Sequence, residues 1–183
     1  MNENFVIDWL KSYFDKPSLT EKKLKPILHF SLLWNLFEFT YFSDSKRLNT
    51  NRLIDLSEIS CPHLSEDKLN SIFNYFKYRY LSNKQLNNNF DSLQLDKNSR
   101  DGIPSNYNFC QTILLSINPT KLDMTKASFL IIHRFRNNLF HGRKNPRSLN
   151  IYEQPFKKIN IFLLHFIEST ARNDAINKNR QIN

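Results

Sequence analysis

The sequence has 183 residues, of which 40% are hydrophobic and 16 are Phe, and this size favours one domain around one buried core. Gly102 and Gly142 are its only glycines, which excludes both a Rossmann fingerprint and a P-loop. The formal net charge of +9 and the pI near 9.6 favour a polyanionic partner, although an AT-rich coding bias toward Asn, Lys, Ile and Phe would give the same surplus without a function.

The sequence also bears on the cellular setting. Cys61 and Cys110 are too few and too far apart for a disulfide framework or a zinc site. The first residues lack the pattern of a signal peptide. The most apolar run, residues 26–42, falls short of the ~18 apolar residues that span a bilayer. It is interrupted by three polar residues, His29, Asn35 and Glu38. We therefore expect a cytoplasmic protein that does not enter a membrane.

The chain begins with an amphipathic helix. Phe5, Trp9 and Tyr13 recur every fourth residue, and the helix is expected to end before Pro17. Ser18 followed by Glu21 matches a capping box at the start of the next segment.

The second helix is expected to carry Pro26 in its first turn and to continue from residue 27 to residue 42. Because it is apolar nearly all round, we predict that it is the central, buried helix. A polar stripe interrupts it at positions i, i+4 and i+7, namely Ser31, Asn35 and Glu38. The stripe is either one solvated face, or it turns Glu38 toward a site, where a buried carboxylate needs a cation or a donor.

The middle of the chain predicts two helices and a loop. Leu53, Leu56 and Ile59 indicate a short helix that ends near Pro62. Ser65 is expected to cap the next helix, whose buried face runs from residue 69 to residue 80. Residues 81–106 show little periodicity and are interpreted as a long surface loop.

Three further helices follow. One covers about residues 107–117, and one covers about residues 153–172. Between them, a helix runs from Lys121 to His141, with Thr120 as its cap and Gly142 just beyond its end.

No segment has the period of a strand. The prediction is an all-α helical bundle in a single domain spanning residues 1–183, with central antiparallel helices and additional short ones. Its core covers about residues 26–172, with an N-terminal helical arm (1–25) and a frayed tail (173–183).

The segment from His133 to Lys144 carries the chemistry, because it places two histidines and four cations at the C-terminal end of a helix. The free carbonyls there favour protons and cations, so a histidine among neighbouring cations can titrate near neutral pH. Phosphodiester cleavage requires a group that moves protons and a fixed cation for the charge that builds on phosphate. Arg136 and His141 are the candidates for these two tasks.

The same segment resembles a known family. Arg136 and His141, with Asn after the Arg and Gly after the His, are similar to the R-x4-6-H motif of HEPN-domain ribonucleases. The helix containing residues 33–38 resembles the first core helix of these all-α domains, and the likeness covers about residues 26–172. The resemblance implies a metal-independent endoribonuclease without a cofactor, acting on single-stranded RNA through 2′-hydroxyl attack to leave a 2′,3′-cyclic phosphate. It also implies a toxin–antitoxin or antiviral defence setting, with an antitoxin or another defence protein as a possible partner.

The site residues predicted from the sequence fall into three groups. The catalytic residues are Arg136 as the charge clamp, His141 as the proton-transfer residue and Asn137, which orients the histidine or the phosphate. The RNA-binding residues are Arg134, Arg143, Lys144 and Arg147. The supporting residues are Glu38, Asn35 and Asn138. One branch of the family carries a Tyr two residues after the His, where its antitoxin adds nucleotides, and Arg143 stands there in this sequence.

Helix geometry bears on the assembly. Residues five apart are rotated by about 140°, so Arg136 and His141 flank a ridge, and one copy forms an open half-site. Two copies related by a two-fold axis would enclose a cleft. We therefore expect a homodimer with a composite site in which the helices over residues 121–141 meet near the two-fold axis, as the resemblance also implies.

Other interpretations of these residues remain open. His133, Asn137 and His141 at i, i+4 and i+8 could suggest a metal-binding face, but no carboxylate or cysteine nearby in the sequence completes it, so no metal is expected. Arg136 could simply cap a neighbouring helix or pair with Glu38, which would leave a folded but inert protein. The alternative function is a non-catalytic HEPN module that binds RNA or protein, and a structural adaptor is a third class.

Overall fold

The computed structural model describes residues 5–15, 19–42, 48–98, 105–141, 149, 151–173 and 176. Eight α-helices occur in these ranges: α1 (Phe5–Tyr13), α2 (Glu21–Phe42), α3 (Thr50–Ser60), α4 (Glu66–Tyr80), α5 (Asn88–Asp91), α6 (Asn106–Leu115), α7 (Lys121–Phe140) and α8 (Glu153–Thr170). A 3-10 turn at Cys61–His63 follows α3, and two short strands, β1 (Leu81–Ser82) and β2 (Gln85–Leu86), form a hairpin. The predicted all-α class is confirmed.

The helices form two packed groups around an aromatic core. α2 packs mainly against α8, whereas α7 lies against α3, α4 and α6, and α4 joins the groups by also contacting α8. Phe37 and Phe129 stack with their ring centroids 5.6 Å apart, and Phe129 meets Phe166 edge-on at 4.8 Å. These three rings therefore connect α2, α7 and α8.

α7, and not α2, is the central helix. Nine consecutive residues of α7 include six buried apolar side chains, and its burial continues to Phe135 and Asn138. α2 exposes Leu28, Leu32, Leu36 and Phe39, so the prediction that α2 is the central, buried helix is wrong. Composition alone cannot distinguish a helix surrounded by protein from a helix that presents apolar residues to solvent.

The accessible part of α7 bears on the predicted dimer contact. Within the described residues, Phe140 is the exposed residue of α7, and its cap His141 is exposed beside it. The contact between two copies of α7 remains a prediction.

Pro26 lies inside α2, in its second turn, and not in a first turn as predicted. The ring removes the N–H that would have bonded the carbonyl four residues earlier. The Pro26 carbonyl accepts a hydrogen bond of 2.8 Å from Nδ2 of Asn160, which ties this part of α2 to α8. Because α2 starts at Glu21, residues 21–25 belong to a core helix and not to the predicted arm. Ser18 and Pro17 lie outside the described residues.

The segment predicted as a loop over residues 81–106 is structured as far as residue 98. Asn83 and Lys84 have φ values of 51° and 61°, which form the tight turn between β1 and β2. Phe90 of α5 is fully buried, and Leu93 and Leu95 are buried after it. Strands of two residues are too short to show a period, so no pattern in the sequence predicts them. Residues 99–104 lie outside the described part.

The predicted N-caps of α7 and α4 can be compared with the structure. Oγ1 of Thr120 accepts the N–H of Asp123 at 3.1 Å, so the predicted cap of α7 is present. Ser65 occupies the N-cap position of α4, but its side chain makes no capping bond.

Ile176, in the segment predicted to fray, is 2% exposed, so part of that segment packs on the core. Among the described residues, no helix combines the length and the apolar character that crossing a bilayer requires.

Candidate functional site

A cavity of about 440 Å³ lies where the last turns of α7 meet the end of α2 and the start of α3. Eight of the described residues line it: Glu38 from α2, Leu48, Asn49 and Thr50 around the start of α3, and His133, Arg136, Asn137 and His141 from α7 and its C-cap. All three predicted catalytic residues are therefore gathered around one cavity, together with the supporting Glu38.

Local structure explains why these side chains converge. His133 and Asn137 are one helical turn apart and so share a face of α7, with Arg136 beside them. Asn49 is the N-cap of α3, where Oδ1 accepts the N–H of Arg52 at 3.1 Å, and this bond fixes the wall opposite α7. Glu38 lies in the last part of α2, four residues before the helix ends.

Arg136 is held from three sides. Its Nη2 lies 3.5 Å from Oε1 of Glu38, and its Nη1 donates to Oδ1 of Asn137 at 3.2 Å. Its guanidinium also lies 5.4 Å from the centre of the Phe140 ring. Nε of Arg136 is buried and has no hydrogen-bond partner within the described part of the chain. Since about a quarter of each side chain of the ion pair is exposed, the cation is fixed in position but still reachable from the cavity.

The donor and acceptor roles in this chain of contacts can be assigned. A guanidinium only donates, so Asn137 must accept through Oδ1 and donate through Nδ2. Nδ2 of Asn137 lies 3.3 Å from Nε2 of His133, so Nε2 must carry the lone pair and Nδ1 the proton. The contacts run from Arg136 to Asn137 to His133 and require a neutral imidazole at the end.

The environment of His133 keeps it neutral. Burial lowers its pKa to about 4, and the positive charges of Arg136 and Arg134 act in the same direction. The ring also stacks on Trp34, with the centroids 6.2 Å apart. At neutral pH the His133 imidazole is therefore neutral, with its single proton on Nδ1.

His141 has the opposite character. It is the C-cap residue of α7, with its backbone N–H donating to the carbonyl of Asn137 at 3.0 Å. Its side chain is exposed at the cavity, whereas His133 is largely buried. Of the two histidines that line the cavity, His141 is the more exposed.

Other predicted site residues lie elsewhere. Nε of Arg134 donates to the carbonyl of Leu93 at 2.7 Å, and Nδ2 of Asn138 donates to the same oxygen at 3.1 Å. The structure thus gives Arg134 and Asn138 a place in the contact between α7 and the segment after α5, and not in the cavity. Asn35 is exposed on α2 and does not line the cavity. The remaining RNA-binding candidates, Arg143, Lys144 and Arg147, lie outside the described residues, as does Gly142.

Sequence reasoning missed part of the lining. Asn49 and Thr50 carry the local signal of a helix start, but no local pattern shows that the start of α3 meets the end of α7. From the sequence, His133 is one of the two histidines of the 133–144 segment and part of a metal-binding pattern, but it has no predicted role in the site. Its spacing from Asn137 was the available signal for the contact that the structure shows.

The cavity also brings a carboxylate, that of the predicted supporting residue Glu38, to the same place as the two histidines. Glu38 reaches it from α2, but its Oε1 faces Arg136. Within the ranges that the structure describes, no three His, Cys, Asp or Glu side chains are grouped so that they could hold a metal ion.

Comparison with known proteins returned no relative: no family model, no curated protein and no solved structure matches this chain.

Proposed function

We propose that this protein is an endoribonuclease that cuts single-stranded RNA at the cavity between α2, α3 and α7, without a metal ion. The observation that carries the proposal is the convergence of Arg136, Asn137 and His141 on one cavity. The toxin or antiviral setting rests on the resemblance to HEPN-domain proteins alone.

Each of the three side chains has a chemical task in this proposal. Arg136 stays protonated at any accessible pH, so it is a dependable clamp for the phosphate charge and a poor base. Asn137 holds the guanidinium from the α7 side. His141 is exposed and can exchange protons with a bound substrate. The surplus positive charge of the chain supports binding of a polyanion.

The reaction balances with these groups. The ribose 2′-oxygen attacks the adjacent phosphorus and loses its proton to the imidazole of His141. Arg136 stabilises the charge of the pentavalent phosphorane. The bond to the 5′-oxygen then breaks, and that oxygen takes a proton from the imidazolium. The products are a 2′,3′-cyclic phosphate and a free 5′-hydroxyl.

A second candidate function is supported by one contact. The Arg136–Glu38 ion pair is what a purely structural arginine would make, and it fits a HEPN module that binds RNA or protein without cutting it. The two functions differ in a measurable way, because a binding module leaves RNA intact at every concentration.

The function is tested with a 5′-labelled single-stranded RNA and the same strand carrying 2′-O-methyl groups throughout. The proposal expects cleavage of the first, with cyclic phosphate ends, and none of the second, since methylation removes the nucleophile. Equal cleavage of both strands would exclude 2′-hydroxyl attack. Binding of both without cleavage would establish the binding module.

A further inference from the structure

A second cavity, of about 600 Å³, lies between the end of α4, the β1–β2 hairpin and the starts of α5 and α8. Its described lining has no acidic side chain. It includes two tyrosines, an arginine and three amide side chains, namely Tyr75, Tyr78, Arg79, Asn87, Asn89 and Gln154. The reaction proposed above uses none of these residues.

Arg79 holds a positive charge in a fixed place at this second cavity. Its guanidinium carbon lies 5.9 Å from the centres of the Tyr80 and Phe135 rings, and both rings are buried in the core. Nε of Arg79 is buried and has no hydrogen-bond partner within the described part of the chain, where Arg79 also forms no ion pair. A cation that is held without a carboxylate favours an anionic ligand.

Two tyrosines of α4 lie beside this cation. Tyr78 follows Tyr75 by three residues, so both are on the same side of the helix. Tyr78 is 86% exposed, which leaves its ring open to a ligand. Burial raises the pKa of Tyr75, and the neighbouring charge of Arg79 acts in the opposite direction. The end of α4 therefore combines an exposed aromatic ring with a fixed cation.

Amide side chains form the opposite wall. Nδ2 of Asn87 donates to the carbonyl of Arg79 at 3.1 Å, and Nδ2 of Asn89 donates to the same oxygen at 3.5 Å. Oδ1 of Asn87 accepts the N–H of Asn89 at 3.0 Å, so Asn87 is committed to the fold. Oδ1 of Asn89 and the amide of Gln154 have no partner within the described ranges, and they are left to bind a ligand.

We propose that the second cavity binds one nucleotide of the single-stranded RNA, at a distance from the cut, and this choice of ligand rests on the proposed function. The base stacks on Tyr78, its phosphate pairs with Arg79, and Asn89 and Gln154 bond the edge of the base. Proteins recognise single-stranded RNA by this combination of stacking, cations and amides. The lining without carboxylates and the net charge of +9 favour a polyanion over a protein segment.

The two cavities lie on opposite sides of α7. The Phe135 ring beside Arg79 belongs to α7, and Phe135 stands two residues from both His133 and Asn137. Two residues correspond to about 200° around the helix axis, and the helix itself is about 10 Å thick. A strand can join the cavities around the end of α7, where His141 is exposed. Only a strand of several nucleotides can therefore occupy both.

Substitution of Tyr78 tests the proposal, with the 2′-O-methylated strand as the probe so that cleavage does not enter the measurement. Tyr78→Ala should weaken binding of this strand by about 5- to 150-fold, the range expected for loss of stacking on one base. Tyr78→Phe keeps the ring and should restore most of the affinity. Tyr13→Ala is the matched control, because Tyr13 is 65% exposed on α1 and lies outside both cavities. Urea unfolding should be the same for all three variants.

Equal affinities of Tyr78→Ala and the control for the strand would overturn the proposal. A second arm replaces the strand by a nucleoside monophosphate, which should bind far more weakly because it occupies one cavity at a time. A monophosphate that binds as tightly as the strand, and loses affinity in Tyr78→Ala, would make the cavity a site for a free nucleotide and would contradict its role in holding RNA.

Cleavage of the unmodified strand separates this inference from the proposed reaction. Tyr78→Ala should raise KM and leave kcat nearly unchanged, because Tyr78 is remote from the reacting groups. Weaker binding by Tyr78→Ala in a protein that never cuts RNA would leave the inference standing while the proposed reaction fails. Cleavage with the KM of the parent protein would remove the inference and leave the reaction in place.

Discussion

Nη2 of Arg136 lies 3.5 Å from Oε1 of Glu38, so the cation proposed to meet phosphate is held by a carboxylate from another helix. The contact joins the end of α2 to the end of α7. A phosphate entering the cavity would compete with Glu38 for the guanidinium, and this competition separates a functional arginine from a structural one.

Substitutions on both sides of the ion pair test that distinction. Arg136→Ala should weaken RNA binding and abolish most cleavage. Arg136→Lys should retain only part of both, since the single charge of an ammonium replaces the planar guanidinium with its several donors. Glu38→Gln should strengthen RNA binding, because it removes a negative charge from the cavity. The measurements are dissociation constants and single-turnover rates for the three variants.

A structural arginine would behave differently in the same experiment. Arg136→Ala and Glu38→Gln would then have matching effects on unfolding, of about 0.2–1 kcal/mol for a partly exposed pair, and neither would change RNA binding.

Arg134 and Asn138 should contribute to the stability of the fold and not to RNA binding. Both donate to the carbonyl of Leu93, and a buried carbonyl left without a donor costs about 1–3 kcal/mol. The double variant Arg134→Ala with Asn138→Ala should therefore lower the free energy of unfolding in urea by more than either single variant. A double variant as stable as the parent would contradict the assigned contacts.

Lys144→Ala is the matched comparison, since Lys144 was predicted to contact phosphate. It should reduce the slope of log K against log salt by about one, with no change in stability. If the RNA affinity of the unsubstituted protein did not change with salt concentration, the predicted phosphate contacts would be contradicted.

The sequence predicted some of these relationships and missed others for physical reasons. The period of α7 and the Thr120 cap are local, so the helix and its end were predicted closely. Contact between Glu38 and Arg136 was anticipated as an option, because a carboxylate on an apolar helix needs a cation. The contact of Arg134 with Leu93 was not, since it depends on the fold of a segment with no periodic signal.

His133 predicts a pH dependence of stability. Its pKa falls from 6.5 to about 4 on folding, so the unfolded chain binds the proton more readily. Stability is unaffected well above pH 6.5 and decreases as the pH falls from 6.5 toward 4, by on the order of 3 kcal/mol at most. His133→Gln should flatten this part of the profile in urea melts. A parent profile that is level between pH 7 and pH 4.5 would contradict the depressed pKa.

Metal independence is a prediction that depends on the absence of a ligand set in the sequence. RNA cleavage should continue at the same rate in excess chelator, because the proposed chemistry uses only Arg136 and His141. Loss of activity with chelator, and its return with Mg²⁺ or Mn²⁺, would show that a different mechanism operates.

The most direct test of the central claim is the rate of RNA cleavage by His141→Ala. Removing a positioned proton-transfer group typically costs 10²–10⁴-fold in rate. The account predicts a loss of that size with RNA binding largely retained, and no loss for the control His63→Ala, whose histidine is exposed outside the cavity. Cleavage by His141→Ala at the rate of the parent protein would contradict the catalytic assignment.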